Sequence, residues 1–271
     1  MHQHPESPLA YLGFQLHPPS AFLRPYVQWY WYFQRDTPLA IYHEEYMHPH
    51  GRYGIVFNFG DTLYLDGQAV HEPVFLDGVN TISRRMGFFG KVELMGISFQ
   101  EGGAYPLLGV PLHEVRNAIT LLDVLHCPEL LRLHARLQEA ETFPARIHLL
   151  EGWLIQRFLP GREPHPLIPA SLAVLQQTGG QFPIPELARE FAISQRQLER
   201  LYQAQVGVSP KQYAQLVRVE TARLALKKLR EHTTTRLAME LGFYDQAHFI
   251  REFSAVVGMT PYTYLKRSHK S

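Results

Sequence analysis

The sequence predicts an α+β protein. An N-terminal β-barrel with a helical connector precedes a C-terminal all-α domain of two helix-turn-helix units joined by a long helix. Three observations predict this class. Short aromatic and β-branched runs broken by turn dipeptides fill the chain up to about residue 104, residues 111–159 change to helical periodicity, and one seven-residue motif occurs twice near the C-terminus.

Length and charge divide the chain in two. With 271 residues, 45% of them apolar and 19% charged, it is long enough for two folded domains. Residues 1–166 carry 12 Lys and Arg against 17 Asp and Glu, a net charge of −5, whereas residues 167–271 carry 14 against 8, a net charge of +6. We therefore expect domains over 1–160 and 170–271, a Pro-rich linker over 161–169, and a polyanion as partner of the basic domain.

The chain contains no membrane or disulfide signal. No apolar run approaches the roughly 18 residues that a membrane span needs, and the first residues resemble no secretory signal. The single cysteine, Cys127, excludes an internal disulfide and a thiolate zinc site. These features predict a cytoplasmic protein without a membrane partner.

The elements of the N-terminal half follow from local pattern. Asp66-Gly67 and Asp77-Gly78 are typical of tight turns between strands, and Pro128 and Pro144 suit the first turns of helices over 128–140 and 144–159. The predicted strands are Tyr26–Phe33, Tyr53–Phe59, Leu63–Leu65 and Val92–Phe99. The helices would cover the β domain, either by packing alone or as a dimer surface or pocket cover.

The basic half contains an internal repeat. Gly207-Val-Ser-Pro-Lys-Gln-Tyr213 and Gly258-Met-Thr-Pro-Tyr-Thr-Tyr264 both read G-x-[ST]-P-x-x-Y, 51 residues apart. Upstream, Ser194 and Gln197 form a capping box, Asp245 takes the same place in the second copy, and the two glycines end the helices. Each copy therefore predicts helix, tight turn and helix, with one residue inserted in the second turn.

The second helix of each copy has a polar face suited to reading bases. Arg and Gln recognise guanine and adenine edges, which favours DNA binding over a bundle with a merely solvated face. The predicted DNA-binding residues are Ser194, Gln195, Arg196, Glu199, Arg200 and Gln203 in the first copy and Asp245, Gln246, His248 and Arg251 in the second. A helix over 211–229, about 28 Å long, would space the two copies near one duplex turn of about 34 Å, with Arg218 and Lys227 on phosphates.

The C-terminal half resembles the AraC/XylS family of bacterial transcription regulators over about residues 168–266. The resemblance rests on the repeat, the paired motifs and the segment Arg218–Leu226. Ile184 and Thr234 depart from the family pattern. The resemblance implies sequence-specific binding to promoter DNA, mainly by the first recognition helix, and an N-terminal domain that senses a small molecule or mediates dimerisation. A homodimer and contact with RNA polymerase stay open.

Three N-terminal segments resemble the uncharacterised sensor domain often fused to such regulators, a cupin-like β-barrel. They are Pro19–Trp29, Val56–Gly60 and Met95–Gly103. In the strand over 26–33, alternation puts Trp29, Trp31 and Phe33 on one face and Tyr30 and Tyr32 on the other. The candidate ligand-binding residues are Trp29, Trp31, His48, His50 and Arg52. The alternative, which the residue types favour, is that the aromatics are ordinary core residues and the histidines a solvated cluster near a turn.

The segment His43–His50 also contains metal-ligand types. His48 and His50 would project to the same side of a strand, but Pro49 disfavours a central strand and no carboxylate follows at the expected distance. We therefore predict no metal, no cofactor, no catalytic residue and no enzyme activity. The alternatives are a cupin-like metal-binding enzyme or sensor fused to a DNA-binding module, and a DNA-packaging protein indifferent to sequence.

Overall fold

The computed structural model describes residues 13–117, 119–120, 128–158, 161–228 and 234–268. Cys127, discussed above, lies outside these ranges. No helix within them is both long and apolar enough to cross a membrane.

The N-terminal half consists of two antiparallel sheets. One has six strands in the order β1-β2-β9-β4-β7-β10 and the other has four in the order β3-β8-β5-β6. The strands are β1 Gln15–His17, β2 Val27–Gln34, β3 Leu39–Met47, β4 Gly54–Asn58, β5 Leu63–Leu65, β6 Gln68–Val70, β7 Val74–Asp77, β8 Arg84–Gly90, β9 Glu93–Phe99 and β10 Ile119–Thr120. The four predicted strands are confirmed to within one residue at each end as β2, β4, β5 and β9.

His48 and His50 lie outside the strands, as Pro49 indicates. β3 ends at Met47, so His48 and His50 lie in the connection to β4 and not on a strand. Pro49 accounts for this end because it has no N–H to donate to a continued ladder.

The six-stranded sheet has a core on each of its faces. Phe33 on β2 packs with Val56, Leu94 and residues of the four-stranded sheet, and Trp31 lies against this group. Tyr30 and Tyr32, the alternate residues of β2, belong to a second core under the helices. The predicted alternation along this strand is thus confirmed.

The connector is helical. It comprises α1 Tyr105–Leu108, a 3-10 turn Leu112–Val115, α2 Glu129–Glu139 and α3 Phe143–Arg157, which confirms the two predicted connector helices to within about two residues. Thr142 caps α3 by accepting a hydrogen bond from the Ala145 N–H at 3.3 Å. Glu151 fixes α3 to the sheet domain, because its Oε1 accepts hydrogen bonds from Ser20 N at 2.7 Å and from Tyr30 Oη at 3.2 Å.

The C-terminal half is all α. Its helices are α4 Leu167–Gln177, α5 Ile184–Glu190, α6 Gln195–Gln205, α7 Pro210–Lys228, α8 Thr234–Glu240, α9 Gln246–Val257 and α10 Pro261–Ser268. Helices α5 and α6 form the first unit, α8 and α9 form the second unit, and α7 joins them. The predicted α+β class is confirmed, and α4 starts inside the range 161–169.

The two halves share one hydrophobic core. Tyr202, Val206 and Tyr213 of the first unit and its neighbour α7 are buried in the same cluster as Tyr53 and Leu112 of the N-terminal half. The second unit has its own core, which includes Phe249, Phe253 and Tyr264. The first unit is therefore packed on the N-terminal half, whereas the second is joined to it through fewer, mostly polar contacts.

Candidate nucleic-acid interface

The first unit is a tight helix-turn-helix built on a left-handed residue. Ala192 in the turn has φ +53°. Ser194 then caps α6, since its Oγ accepts a hydrogen bond from the Gln197 N–H at 3.2 Å, as the sequence predicts. Leu198 and Tyr202 are fully buried, and the Tyr202 hydroxyl bonds Ser171 Oγ at 2.9 Å. One face of α6 is thus fixed against α4 and the other is left outward.

The outward face of α6, which we call the reading face, carries the predicted polar residues. Gln195, Arg196, Glu199 and Arg200 are exposed, and Gln203 is half-buried at its edge. Within the described ranges we find no ion pair to Arg196 or Arg200, so both guanidinium groups are free to donate. The N-terminal half packs near the C-terminal end of α6, where Gly102 lies against the Gln205 backbone carbonyl.

The second unit repeats this geometry. Gly242 has φ +74° where the first unit has Ala192, and Asp245 caps α9 by accepting from the His248 N–H at 2.6 Å. Phe249 and Phe253 take the buried positions of Leu198 and Tyr202. The alignment of the two units predicted from sequence therefore holds in three dimensions.

The outward face of α9 offers fewer free groups than predicted. His248 accepts from the Tyr244 N–H at Nδ1, 3.3 Å away, and its Nε2 lies 3.3 Å from Glu252 Oε1. Its ring is engaged on both nitrogens because Glu252 follows it by one helical turn. Gln246 and Arg251 are exposed at the start and middle of the helix.

The two cations predicted on α7 lie in different surroundings. Arg218 is mostly buried, with its Nε 3.5 Å from Glu252 Oε2 and its guanidinium 5.4 Å from the centre of the Phe243 ring. It therefore stabilises the joint between α7 and the second unit and is poorly placed for a phosphate. Lys227 is exposed.

One exposed aromatic at the interface was missed. Tyr244 is 90% exposed beside the start of α9. It is the residue inserted in the turn of the second unit, between the buried Phe243 and the cap Asp245. The insertion could have indicated this exposure from the sequence. An extra residue in a tight turn must point outward when one neighbour is buried and the other caps a helix.

The candidate ligand-binding residues do not form one group. Trp31 lies on the face of β2 that points to the other sheet, where its ring covers Gly96 on β9 and contacts Phe33 at 5.2 Å between ring centres. His48 and His50 lie at the boundary with the C-terminal half. Trp29 is half-buried near the start of β2.

The histidines and Arg52 contact other protein groups. His48 Nδ1 lies 2.7 Å from Ser83 Oγ, and its ring packs edge-on against Tyr264 of α10. His50 Nδ1 is 3.5 Å from Glu220 on α7, and Arg52 pairs with Glu101 at 3.2 Å. In the described part of the chain, no three His, Cys, Asp or Glu side chains are grouped as a metal site would need.

Comparison with protein families agrees with this geometry. Residues 187–267, which begin within α5 and include the rest of both units, match the model of a helix-turn-helix domain, and residues 15–120 match a domain of unknown function, DUF6597. The match over residues 187–267 agrees with the resemblance of the C-terminal half to the AraC/XylS family of transcriptional regulators. The match over 15–120 agrees with the sensor-domain resemblance of the N-terminal segments.

Known relatives match part of the chain. The chain is 30% identical over 97 residues to an uncharacterised HTH-type transcriptional regulator of Haemophilus influenzae, covering 36% of this chain and 32% of that protein. It is 30% identical over 113 residues to the HTH-type transcriptional activator RhaR of Yersinia pseudotuberculosis, covering 42% and 38%. The chain spans about a third of the length of the curated relatives it matches. ToxT from Vibrio cholerae is a similar solved structure, with a TM-score of 0.46, 12% identity and coverage of 87% of this chain and 98% of that chain.

Proposed function

We propose that this chain binds promoter DNA in a sequence-specific manner and regulates transcription, and that it is a cytoplasmic protein without enzyme activity. The observation that carries the proposal is the reading face of α6, where Arg196 and Arg200 stand exposed on a helix capped and packed as a recognition helix. Side chains of this kind at the N-terminal end of the second helix can reach base edges in the major groove.

The first unit is the stronger reader in this proposal. Its outward face has two free arginines, whereas in the second unit His248 and Glu252 are held by each other. Gln246, Arg251 and the exposed Tyr244 would make the contacts of the second unit, with the last suited to the sugar-phosphate backbone. Lys227 would neutralise a phosphate.

The N-terminal domain is the regulatory part in this proposal, through a small-molecule effector or a second copy of the chain. Trp29 and Trp31 are its candidate effector contacts. His48, His50 and Arg52, which touch other parts of the chain, would pass a change in the N-terminal domain to α7 and α10. An effector acts if it binds one arrangement of the halves more tightly than another.

Selection of a preferred site from random duplexes with the full-length chain tests the DNA-binding proposal. A specific regulator prefers its selected site over a scrambled duplex by about a thousandfold or more. Comparable affinity for both duplexes at one salt concentration would contradict sequence-specific binding and favour a DNA-packaging protein.

Substitutions then separate base reading from phosphate contact. Arg196→Ala is expected to cost about 1–3 kcal/mol on the selected site and much less on the scrambled one, whereas Lys227→Ala weakens both alike and flattens the salt dependence. Arg189→Ala is the matched control, because Arg189 is an exposed arginine of the first unit that lies outside α6 and pairs with Glu186 at 3.7 Å. Equal losses on both duplexes for Arg196→Ala would contradict base reading.

A further inference from the structure

A groove opens between the two long connector helices, on their outer side. It has a volume of about 500 Å³, which lies in the range of small-molecule sites, and its walls come from α2 and α3. We call it the connector groove. It is separate from the DNA-reading helices and from the candidate effector residues Trp29, Trp31, His48, His50 and Arg52.

The floor of the connector groove is apolar and has room for a ring. Leu133 and Leu149 line it, and Gly152 leaves a gap in the wall of α3, because a Cβ added there would meet no atom within 4 Å. Trp153 beside it has an indole N–H that is buried without a hydrogen-bond partner among the described residues. A buried donor of this kind is costly unless something accepts from it.

The rim of the connector groove is cationic. Arg132 and Arg136 stand one helical turn apart on α2, both exposed and without an ion pair among the residues that the structure describes. Arg157 at one end is paired with Glu129 at 2.8 Å, so the lining keeps an excess of positive charge. This excess lies in the half of the chain whose net charge is −5, so it does not follow from the composition of that half.

We infer that the connector groove binds a small anion with a flat apolar body, such as an aromatic carboxylate. The carboxylate would lie between Arg132 and Arg136, where forked guanidinium groups donate paired hydrogen bonds, and the aromatic body would lie over Gly152 with its π face accepting from the Trp153 indole N–H. The inference deepens the proposed sensing role and rests on it. Glu151, the residue before Gly152, bonds Tyr30 and Ser20, so a ligand here would act on a helix tied to the sheet domain.

Calorimetric titration of the full-length chain without DNA tests the inference. The probes are naphthalene-2-carboxylate and its uncharged isostere naphthalene-2-carboxamide. We expect one site for the carboxylate and at least about tenfold weaker binding of the carboxamide, since hydrogen bonds to charged groups are the stronger ones. Equal affinity for both probes, or no binding of the carboxylate, would overturn the inference.

Two variants locate the site. Gly152→Leu fills the groove from an open helical position and is expected to abolish carboxylate binding without lowering the melting temperature. The double variant Arg132→Ala/Arg136→Ala should weaken binding about tenfold or more, while the control Arg24→Ala/Arg162→Ala, which removes two exposed arginines elsewhere, should not. Undiminished binding to Gly152→Leu would place the probe elsewhere and overturn the inference.

Two further measurements separate this inference from its alternatives. If Gly152→Leu converts a dimer into a monomer in sedimentation and the carboxylate does not bind, the groove is an interface between copies and the inference is overturned. DNA affinity of the same variants is measured without the carboxylate. If the wild-type chain selects a DNA site but does not bind the carboxylate, only the inference fails, whereas failure of the wild-type chain to select a DNA site contradicts the proposed function.

Discussion

Arg146 on α3 is a buried charge that contacts a carboxylate, a hydroxyl and an aromatic ring. Its Nη1 lies 2.9 Å from Glu93 Oε1 on β9 and 3.1 Å from the Tyr32 hydroxyl, and its guanidinium covers the Phe59 ring at 4.8 Å. Burial alone would raise the pKa of Glu93, but the hydrogen bonds from Lys91 and Arg146 outweigh it and lower that pKa. The group is therefore a fixed ion pair that holds the connector to the sheet.

We predict that Arg146→Met destabilises the chain by about 3 kcal/mol or more in urea unfolding, because it leaves Glu93 buried with only Lys91 to balance it. Adding Glu93→Gln should recover part of this loss. Arg157→Met is the matched control, since the pair of Arg157 with Glu129 is partly exposed and worth less than about 1 kcal/mol. Equal effects of Arg146→Met and Arg157→Met would contradict the buried-pair assignment.

The sequence predicts side-chain contacts between residues that are close to each other along the chain. The caps Ser194 and Asp245 accept from N–H groups three residues ahead, so the pattern of residues fixes them. Arg218 shows the limit, because its partner Glu252 belongs to another helix and nothing in either segment indicates their contact. A cation on a helix face could serve DNA or a neighbouring helix, and only the packing decides between them.

The glycines that end the two recognition helices offer a matched comparison between elements. Gly207 has φ +87° and Gly258 has φ +78°, so each takes the left-handed position after its helix. A Cβ at Gly258 would meet no atom, whereas one at Gly207 would lie on the hydroxyl of Tyr53, which donates to the Leu112 carbonyl at 2.6 Å. The motif at Gly258 thus ends a helix in open surroundings, whereas the motif at Gly207 ends a helix that packs on the N-terminal half.

We predict that Gly258→Ala costs about 1–2 kcal/mol, the strain of a left-handed alanine, and that Gly207→Ala costs more because of the clash with Tyr53. Tyr53→Phe should reduce the loss of stability caused by Gly207→Ala, because it removes the hydroxyl that clashes. Its effect should simply add to the loss caused by Gly258→Ala. Urea unfolding of the four single and double variants measures this coupling. Strict additivity for the pair at 207 and 53 would contradict the contact.

The strands that sequence reasoning missed are those without a clean pattern. β3 reads LAIYHEEYM, in which the histidine and two glutamates hide the alternation and suggest a site. β8 reads RRMGFFG, where Gly87 is required because the Tyr42 ring lies on it. Both strands belong to the four-stranded sheet, whose outer side is largely open to water, so polar residues there carry no cost.

At the scale of the whole molecule, the N-terminal half holds both helix-turn-helix units. The first unit shares its core, and the second is held where Ser83 donates from its N–H and Oγ to the Val256 carbonyl, at 2.7 and 3.1 Å. Arg267 of α10 lies 4.2 Å above the Tyr46 ring. We call the contact of the N-terminal half with the second unit and α10 the seam. The sequence indicated two domains of opposite charge and could not indicate the seam, because Ser83 and Val256 are 173 residues apart.

His48 lies in this seam and makes it sensitive to acid. Its pKa is lowered from 6.5 to about 3, mainly by burial and then by the charges of Arg223, His50, Lys227 and Arg267. Two carboxylates among the residues described act on this cluster through His50, namely Glu220, which is 3.5 Å from it, and Glu101, which pairs with Arg52. The Ser83 hydroxyl donates its hydrogen to the Val256 carbonyl, so its oxygen is left to accept. A neutral His48 can fill this place by donating from Nδ1 to Ser83 Oγ.

The sign of the pH effect follows from the lowered pKa of His48. Between pH 6.5 and about 3 the unfolded chain binds a proton at His48 that the folded chain does not, so the free energy of unfolding falls as the pH is lowered. From pH 7.5 to pH 5 this loss is about 2 kcal/mol. It should appear as a lower urea midpoint at pH 5.

His48→Asn isolates this contribution, because the amide keeps a donor for Ser83 and does not titrate. We predict that the difference between the urea midpoints at pH 7.5 and pH 5 is smaller in His48→Asn than in the wild-type chain. His71→Asn, at an exposed position between β6 and β7, is the control and should leave that difference unchanged. If the midpoints of His48→Asn and the wild type fall in parallel, His48 is not the group that makes the seam acid-sensitive, and the pH dependence must come from elsewhere in the fold.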